Sequence, residues 1–301
     1  MLTFAYYYLR SMRLYYGFVT GTTTLFGCLL SGHTLAESRT WLLFTMGFFA
    51  WGFNQIFSDW YDRHEDAINA PHRPMVTGAL KPAPAFAVSL VGLGAIAVIG
   101  FILSPWTLAF LGIGGILNIA YSFLKRVPVI NCLVYACAIT CCALFGYVGS
   151  LGGLPESTVV LGEILAHLAI AVLPVHFLMC HNSYYKDVAG DRAAGVRTLQ
   201  TMCLSLAFTV SLFLMLLDLI VLLAGTIMDL EYTPLLLVVF ALDILYFTAL
   251  GSGRLHRATK YNCQLCVALL HYPSFPQSWL PCLLSLLAIE LLFLWYSDEK
   301  E

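Results

Sequence analysis

Nine stretches of about 20 mostly apolar residues follow one another along the chain, near 14–32, 40–58, 85–104, 106–123, 129–151, 159–181, 201–225, 233–251 and 278–296. That length is what a helix needs to cross the hydrocarbon core of a bilayer. Lipid offers backbone groups no hydrogen-bonding partner, so segments of this kind can only be helices bonded within themselves. No strand pattern or low-complexity stretch separates them. The expected architecture is one all-α integral membrane domain over residues 1–301 with nine transmembrane helices.

Composition narrows the function classes. Of the 301 residues, 60% are hydrophobic and 11% charged, against about a quarter charged in soluble domains. A soluble enzyme, a disordered chain and a nucleic-acid binder are all excluded. The start, MLTFAYYYLRSMRLYY, lacks the basic opening, short apolar core and small-residue cleavage site of a signal peptide, and reads as mature sequence. Most of the ten cysteines lie in apolar runs, where thiols act as small hydrophobes. Cys263 and Cys266 form a CxxC with no second ligand pair, short of the four ligands of a structural zinc site.

The placement of charge orients the helices. With nine spans, Arg10, Arg13, Arg63, Arg73, Lys81, Lys125, Arg126, Lys186, Arg192, Arg197, Arg254, Arg257 and Lys260 share the side of the N-terminus. Only Arg39 and Lys300 fall opposite. The positive-inside rule makes the first side cytoplasmic. The long loops 2–3, 6–7 and 8–9 are all expected there, on the face where function concentrates.

Two of these loops repeat one device. In SDWYDRHED, Asp62 and Asp66 stand four apart, on one face of a helix continuing past the membrane. In KDVAGDR, Asp187 and Asp191 do the same. Like charges at this spacing repel unless a cation lies between them. Mg²⁺ suits hard oxygen ligands and is commonly held by one or two carboxylates plus substrate phosphates. Basic residues follow each cluster, Arg63 and Arg73 in one, Arg192 and Arg197 in the other, and bind phosphate oxygens well. The combination points to a diphosphate–magnesium site at the mouth of an apolar bundle, and so to a prenyl diphosphate.

SDWYDRHEDAINAPHRPMVTGAL resembles the first Asp-rich motif of the UbiA superfamily of intramembrane prenyltransferases. KDVAGDRAAGVRTL is similar to its second, and AYSFLKRVPVIN to its Tyr…Lys-Arg…Asn segment. The wording DWYDR and DAIN is closest to chlorophyll synthases and archaeal ether-lipid prenyltransferases. The resemblance implies a nine-helix bundle whose central cavity opens to the cytoplasm. It also implies Asp62, Asp66, Asp187 and Asp191 as catalytic Mg²⁺ ligands, with Arg73, Lys125, Arg126 and Lys186 on the diphosphate and Tyr121 lining the cavity. Ser58 stands where the family shows Asn, with Asp59 following as expected; both are candidate metal ligands, and Asn54, one turn earlier, is a further candidate contact.

The implied activity is Mg²⁺-dependent transfer of a prenyl group to a hydrophobic acceptor through an allylic carbocation, in contact with membrane lipid and without nucleic acid. Tyr15, Tyr16, Trp51, Phe53, Trp60, Tyr121, Tyr184 and Tyr185 are available to steady that cation. One alternative is a terpene cyclase on the same scaffold, needing no acceptor and motivated by Ser58. Another is a lipid transporter, which would show broken midplane helices and internal symmetry. His176, about three turns before Asp187, is weighed between a pocket role and an interhelical hydrogen bond. Asp218, Asp243 and Glu290 lie deep in helices and mark pairing or proton acceptance. His256, Arg257 and Lys260 read as a basic patch meeting anionic lipid.

Overall fold

The computed structural model describes residues 2–228, 233–251, 253–271 and 279–296, and these contain helices and no strands. In chain order the helices are α1 (Leu2–Met12), α2 (Leu14–Leu30), α3 (Ser38–Tyr61), α4 (Arg63–Asn69), α5 (Pro82–Leu103), α6 (Trp106–Leu124), α7 (Ile130–Leu151), α8 (Thr158–Ala171) and α9 (Leu173–Ser183). After a 3₁₀ turn at Tyr184–Asp187 come α10 (Val188–Ala193), α11 (Leu199–Met202), α12 (Leu204–Met228), α13 (Thr233–Gly251), α14 (Leu255–His271) and α15 (Trp279–Trp295). By length and composition α5, α6, α7 and the stretch Thr158–Ala193 are able to cross a bilayer, with shorter apolar helices beside them. Each apolar run of the sequence coincides with helix; the sixth is broken between α8 and α9, where Pro174 stands in the first turn.

The bundle closes on small residues. A Cβ on Gly27 would overlap the Ala143 carbonyl, and one on Gly146 the Thr24 carbonyl, so α2 and α7 cross with their backbones in contact. Lipid tails give no hydrophobic drive to helix pairing, and close packing through small residues replaces it. Arg39 closes the far end. Its guanidinium donates to Gly149 O at 2.8 Å and Leu103 O at 3.0 Å, bonding carbonyls near the ends of α7 and α5 that have no helical partner.

One element corrects the expected topology. The segment read as a loop between helices eight and nine forms α14, buried against α2, α9, α13 and α15. Cys263 and Cys266 donate to Tyr15 O and Val175 O, so the CxxC serves helix packing. Asn262 bonds Asn182 and Met179 O, and Gln264 donates to Glu290 at 2.6 Å. Lys260 pairs with Glu290 and lies over Tyr261 and Phe293, partly buried between α14 and α15. The His256 side chain falls outside the described residues.

α15 then runs back against α14, and Tyr296 beyond its end bonds Leu9 O and Leu14 N. The last helix therefore ends beside the first, and α14 stands in the bundle as a helix beyond the nine apolar runs.

The α2–α7 contact yields a test. Gly146→Ala lowers stability in detergent by about 1–3 kcal/mol through overpacking. Gly94→Ala, where nothing lies within 4 Å, leaves it unchanged or raises it by up to about 1 kcal/mol. Denaturant unfolding of both variants in one detergent checks the difference.

Candidate functional site

Four-residue steps along α3 and its continuation into α4 place Asn54, Ser58, Asp62 and Asp66 on the wall of one polar cavity. The helix bends at Asp62, yet Asp66 N still donates to Asp62 O at 2.9 Å, so the i, i+4 relation survives the joint. Opposite them, the turn after α9 brings Lys186 and Asp187, and the end of α6 brings Lys125.

Acids and bases alternate around this space. Lys125 Nζ lies 3.3 Å from Asp62 Oδ1 and 3.9 Å from Asp191 Oδ1, so one ammonium touches both motifs. Arg73 pairs with Asp66, and Lys186 holds Asp187 at 2.9 Å. Burial alone would lower the Lys125 pKa, but Asp62, Asp191 and Asp187 outweigh it and hold the ammonium above its ordinary range. Burial pushes the Asp62 carboxyl upward, and Lys125 pulls it back only in part.

Aromatic rings line the inner wall. Tyr16 and Trp51 stand 5.3 Å apart between centroids, and Tyr121 and Tyr135 5.5 Å. Asn131 Nδ2 donates to the Tyr184 hydroxyl, which donates to Tyr121 at 2.9 Å. That order leaves the Tyr121 O–H free of Tyr184. Below Trp51, Asn54 and Asn118, which border both spaces, an apolar chamber continues between α2, α3, α5, α6 and α7. Its deep end is walled by Thr24, Met46, Ile96, Phe110 and Phe145.

The structure thus gathers Asn54, Ser58, Asp62, Asp66, Arg73, Tyr121, Lys125, Lys186 and Asp187 around one cavity, with Asp191 fully buried at its edge. Four expected residues stand elsewhere. Asp59 turns into the protein, paired with Arg13 and accepting from Gln55 at 3.0 Å, which makes it an anchor for the α1–α2 corner instead of an open ligand. His176 is buried against α2 with Nε2 3.0 Å from Thr23 Oγ1. Arg126 and Arg192 are exposed, one residue beyond Lys125 and Asp191, because neighbours on a helix point about 100° apart. Asp218 and Asp243 are buried away from the cavity.

Of the aromatics, Tyr15 packs on Phe293, Phe53 on Phe49, Trp60 under Arg63, and Tyr185 bonds Ser211. Residues the sequence reading missed are Arg13, Gln55, Asn69 and Tyr135. For Asn69 a signal existed in its position three residues after Asp66, inside the quoted motif.

Among the described residues no three His, Cys, Asp or Glu side chains gather closely enough to hold a metal unaided. The donor set nevertheless fits Mg²⁺. Both Asp191 oxygens are buried without a hydrogen-bond partner, with the Lys125 ammonium no nearer than 3.9 Å, so their lone pairs stay open to a cation. Mg²⁺ is also typically bound through few carboxylates completed by phosphate, so an open set of hard oxygens suits it better than a closed cage.

A family model described as UbiA prenyltransferase family matches residues 20–262. A digeranylgeranylglyceryl phosphate synthase of Natronomonas pharaonis is 30% identical over 181 residues, covering 60% of this chain and 62% of that protein. The chloroplastic chlorophyll synthase of Oryza sativa is 30% identical over 165 residues, 49% of this chain and 40% of that one. The chain thus spans less than two thirds of the length of these curated relatives. A UbiA homolog from Aeropyrum pernix K1 shares the fold with a TM-score of 0.70 at 17% identity, over 84% of this chain and 94% of that one. A UbiA homolog from Archaeoglobus fulgidus, solved bound to GPP and Mg²⁺, matches with a TM-score of 0.60 at 16% identity, over 88% and 99%.

Arg13 and Asp59 provide the test of the corner. Arg13→Met strands a buried carboxylate and costs about 3–5 kcal/mol, whereas adding Asp59→Leu recovers most of that loss. Chemical denaturation of the single and double variants in detergent measures both.

Proposed function

The chain belongs to the UbiA prenyltransferase family, and on that premise we propose that it is an intramembrane enzyme moving a prenyl group from a prenyl diphosphate to a hydrophobic acceptor. The observation carrying this reading is the sharing of Lys125 between Asp62 and Asp191, which brings the two acidic motifs together over an apolar chamber. A ligand matching both halves has a diphosphate head and a long apolar tail. The basic residues around the cavity support a cytoplasmic mouth by the positive-inside rule.

Asp62, Asp66, Asp187, Asp191 and Ser58 are the residues that would hold Mg²⁺. When bound, the ion neutralises the diphosphate and improves it as a leaving group. Arg73, Lys125 and Lys186 bind the remaining phosphate oxygens as charge-assisted donors. The allylic C–O bond then breaks heterolytically, both electrons leaving with the diphosphate. Aromatic faces of Tyr16, Trp51, Tyr121 and Tyr135 steady the allylic cation by about 0.5–2 kcal/mol each. The chamber keeps water from quenching it. The acceptor's nucleophilic atom forms the new bond and releases its proton.

Chamber depth limits the tail. Asp62 and Met46 differ by 62 − 46 = 16 positions along one helix, or about 24 Å at 1.5 Å per residue. An isoprene unit contributes four C–C bonds of about 1.5 Å, about 5 Å in extended zigzag. That length holds nearly five units, or about four once the diphosphate head takes its share beside Asp62, a C20 donor, in keeping with the geranylgeranyl chains in the name of the archaeal relative. Cyclisation of the donor is the second reading, favoured by Ser58 alone, since a shorter oxygen side chain there changes how the head group is held.

Incubating purified protein with C10, C15 and C20 prenyl diphosphates and Mg²⁺ separates these. The donor stays intact until a hydrophobic alcohol is added if transfer is correct; a cyclic terpene formed without acceptor identifies a cyclase. Asp62→Asn and Asp187→Asn, each keeping an oxygen beside its lysine, reduce diphosphate release by at least about a hundredfold, and thermal unfolding in detergent checks that each variant is folded. Turnover surviving both would refute the site. Phe145→Ala, which deepens the chamber, shifts donor preference toward longer chains in competition assays.

A further inference from the structure

We propose that Asn69 is a positioning residue that sets the distance between the two acidic motifs; this rests on the reading of the cavity as a diphosphate–metal site. Asn69 ends α4, three residues after Asp66. Its Nδ2 donates to Asp187 O at 3.1 Å, and its Oδ1 accepts from Gly190 N at 2.7 Å. One primary amide thus bonds a carbonyl and an N–H of the opposite segment at once, as a peptide group does across a sheet.

Gly190 makes this approach possible. A Cβ there would overlap the Asn69 amide. Asp187 is held through its own carbonyl, and Asp191 directly follows Gly190, so the clamp fixes both carboxylates of the second motif to the helix carrying Asp66.

Two features show why a clamp is needed. α4 has 7 residues and α10 has 6, too few to be stable alone. Both segments also carry carboxylates, which the cations between them neutralise without fixing how far apart the two backbones stand. Lys125 supplies attraction but, as a flexible point charge, sets no fixed distance. The planar amide does. Only Asn meets the geometry: Asp would place an acceptor against Asp187 O, and Ala removes both bonds.

Wild type, Asn69→Ala, Gly190→Ala and the double variant are compared in nanodiscs by two readouts besides turnover. Hydrogen exchange follows the backbone of residues 184–195, and electron paramagnetic resonance titrates Mn²⁺ in the presence of inorganic diphosphate. Each single variant should lose protection in that segment and weaken Mn²⁺ binding by about tenfold or more, as loss of a supporting residue behind a metal ligand does. Gly190→Ala keeps the amide but displaces it. The double variant should be no worse than the singles, since both break one contact.

Unchanged Mn²⁺ affinity in both single variants, with tight binding by wild type, overturns the positioning role and leaves the site reading intact. Exchange rising throughout the chain with affinity unchanged overturns it equally, showing a purely structural residue. No Mn²⁺ binding by wild type with diphosphate overturns the site reading itself.

Discussion

A carboxylate buried beside another carboxylate keeps its charge only with positive charge nearby, and the site end of this protein is arranged around that constraint. Asp62 and Asp191 come from loops far apart in sequence, and each is reached by the ammonium of Lys125. Asp59, Asp66 and Asp187 each have their own cation in Arg13, Arg73 and Lys186. Removing one partner of a buried pair leaves an uncompensated charge, which is far costlier than the pair is stabilising. The five acids and four bases therefore form one interdependent set. It draws α1, α3, α4, α6 and α10 together at one end of the bundle.

The loop supplying Lys125 bears this demand in its backbone. Val129 sits at φ +71°, with Ile130 N bonded to Pro128 O at 2.9 Å, a strained three-residue turn for a β-branched side chain. Strain of this kind costs of order 1–3 kcal/mol and persists only where the surroundings enforce it. Here the turn lies between Lys125, which spans the two motifs, and Asn131, which orients the Tyr184–Tyr121 pair. The chain reverses within six residues so that both side chains face one cavity.

Much of this was legible in the sequence, for reasons that also explain the failures. Apolar length identified the helices because lipid permits no other spanning structure for such runs. The DxxxD spacing located both motifs because i, i+4 neighbours share a helix face whatever the tertiary fold. The misses concern direction. Whether Lys125 or Arg126, Asp191 or Arg192, faces the cavity depends on the rotation of a helix end, which no local pattern encodes. His176 turns on the same point, its ring bonding Thr23 on α2, the interhelical alternative of the two weighed for it. α14 escaped a hydropathy scan because Lys260, Asn262 and Gln264 dilute it. Asn262 and Gln264 are buried and Lys260 partly so, paired with Asn182 and Glu290, and such pairing exists only in three dimensions.

The one helix that meets every part of the site shows how polarity and length are written together. Positions 46, 50, 54, 58, 62 and 66 are Met, Ala, Asn, Ser, Asp and Asp, and all six line the chamber or the cavity above it. Over about three turns the same stripe passes from the apolar Met46 and Ala50 to the polar Asn54 and Ser58 and then to carboxylates. Asn54 marks the change, its carbonyl accepting from Asn118 Nδ2 at 3.1 Å across to α6. A ligand lying along α3 must therefore alter its own polarity at that height. Any molecule apolar throughout forfeits the charged end, and any molecule polar throughout is excluded from the chamber. An amphiphile meets both conditions, and the diphosphate-headed lipid proposed above is one, its charge matched to the carboxylates through a cation.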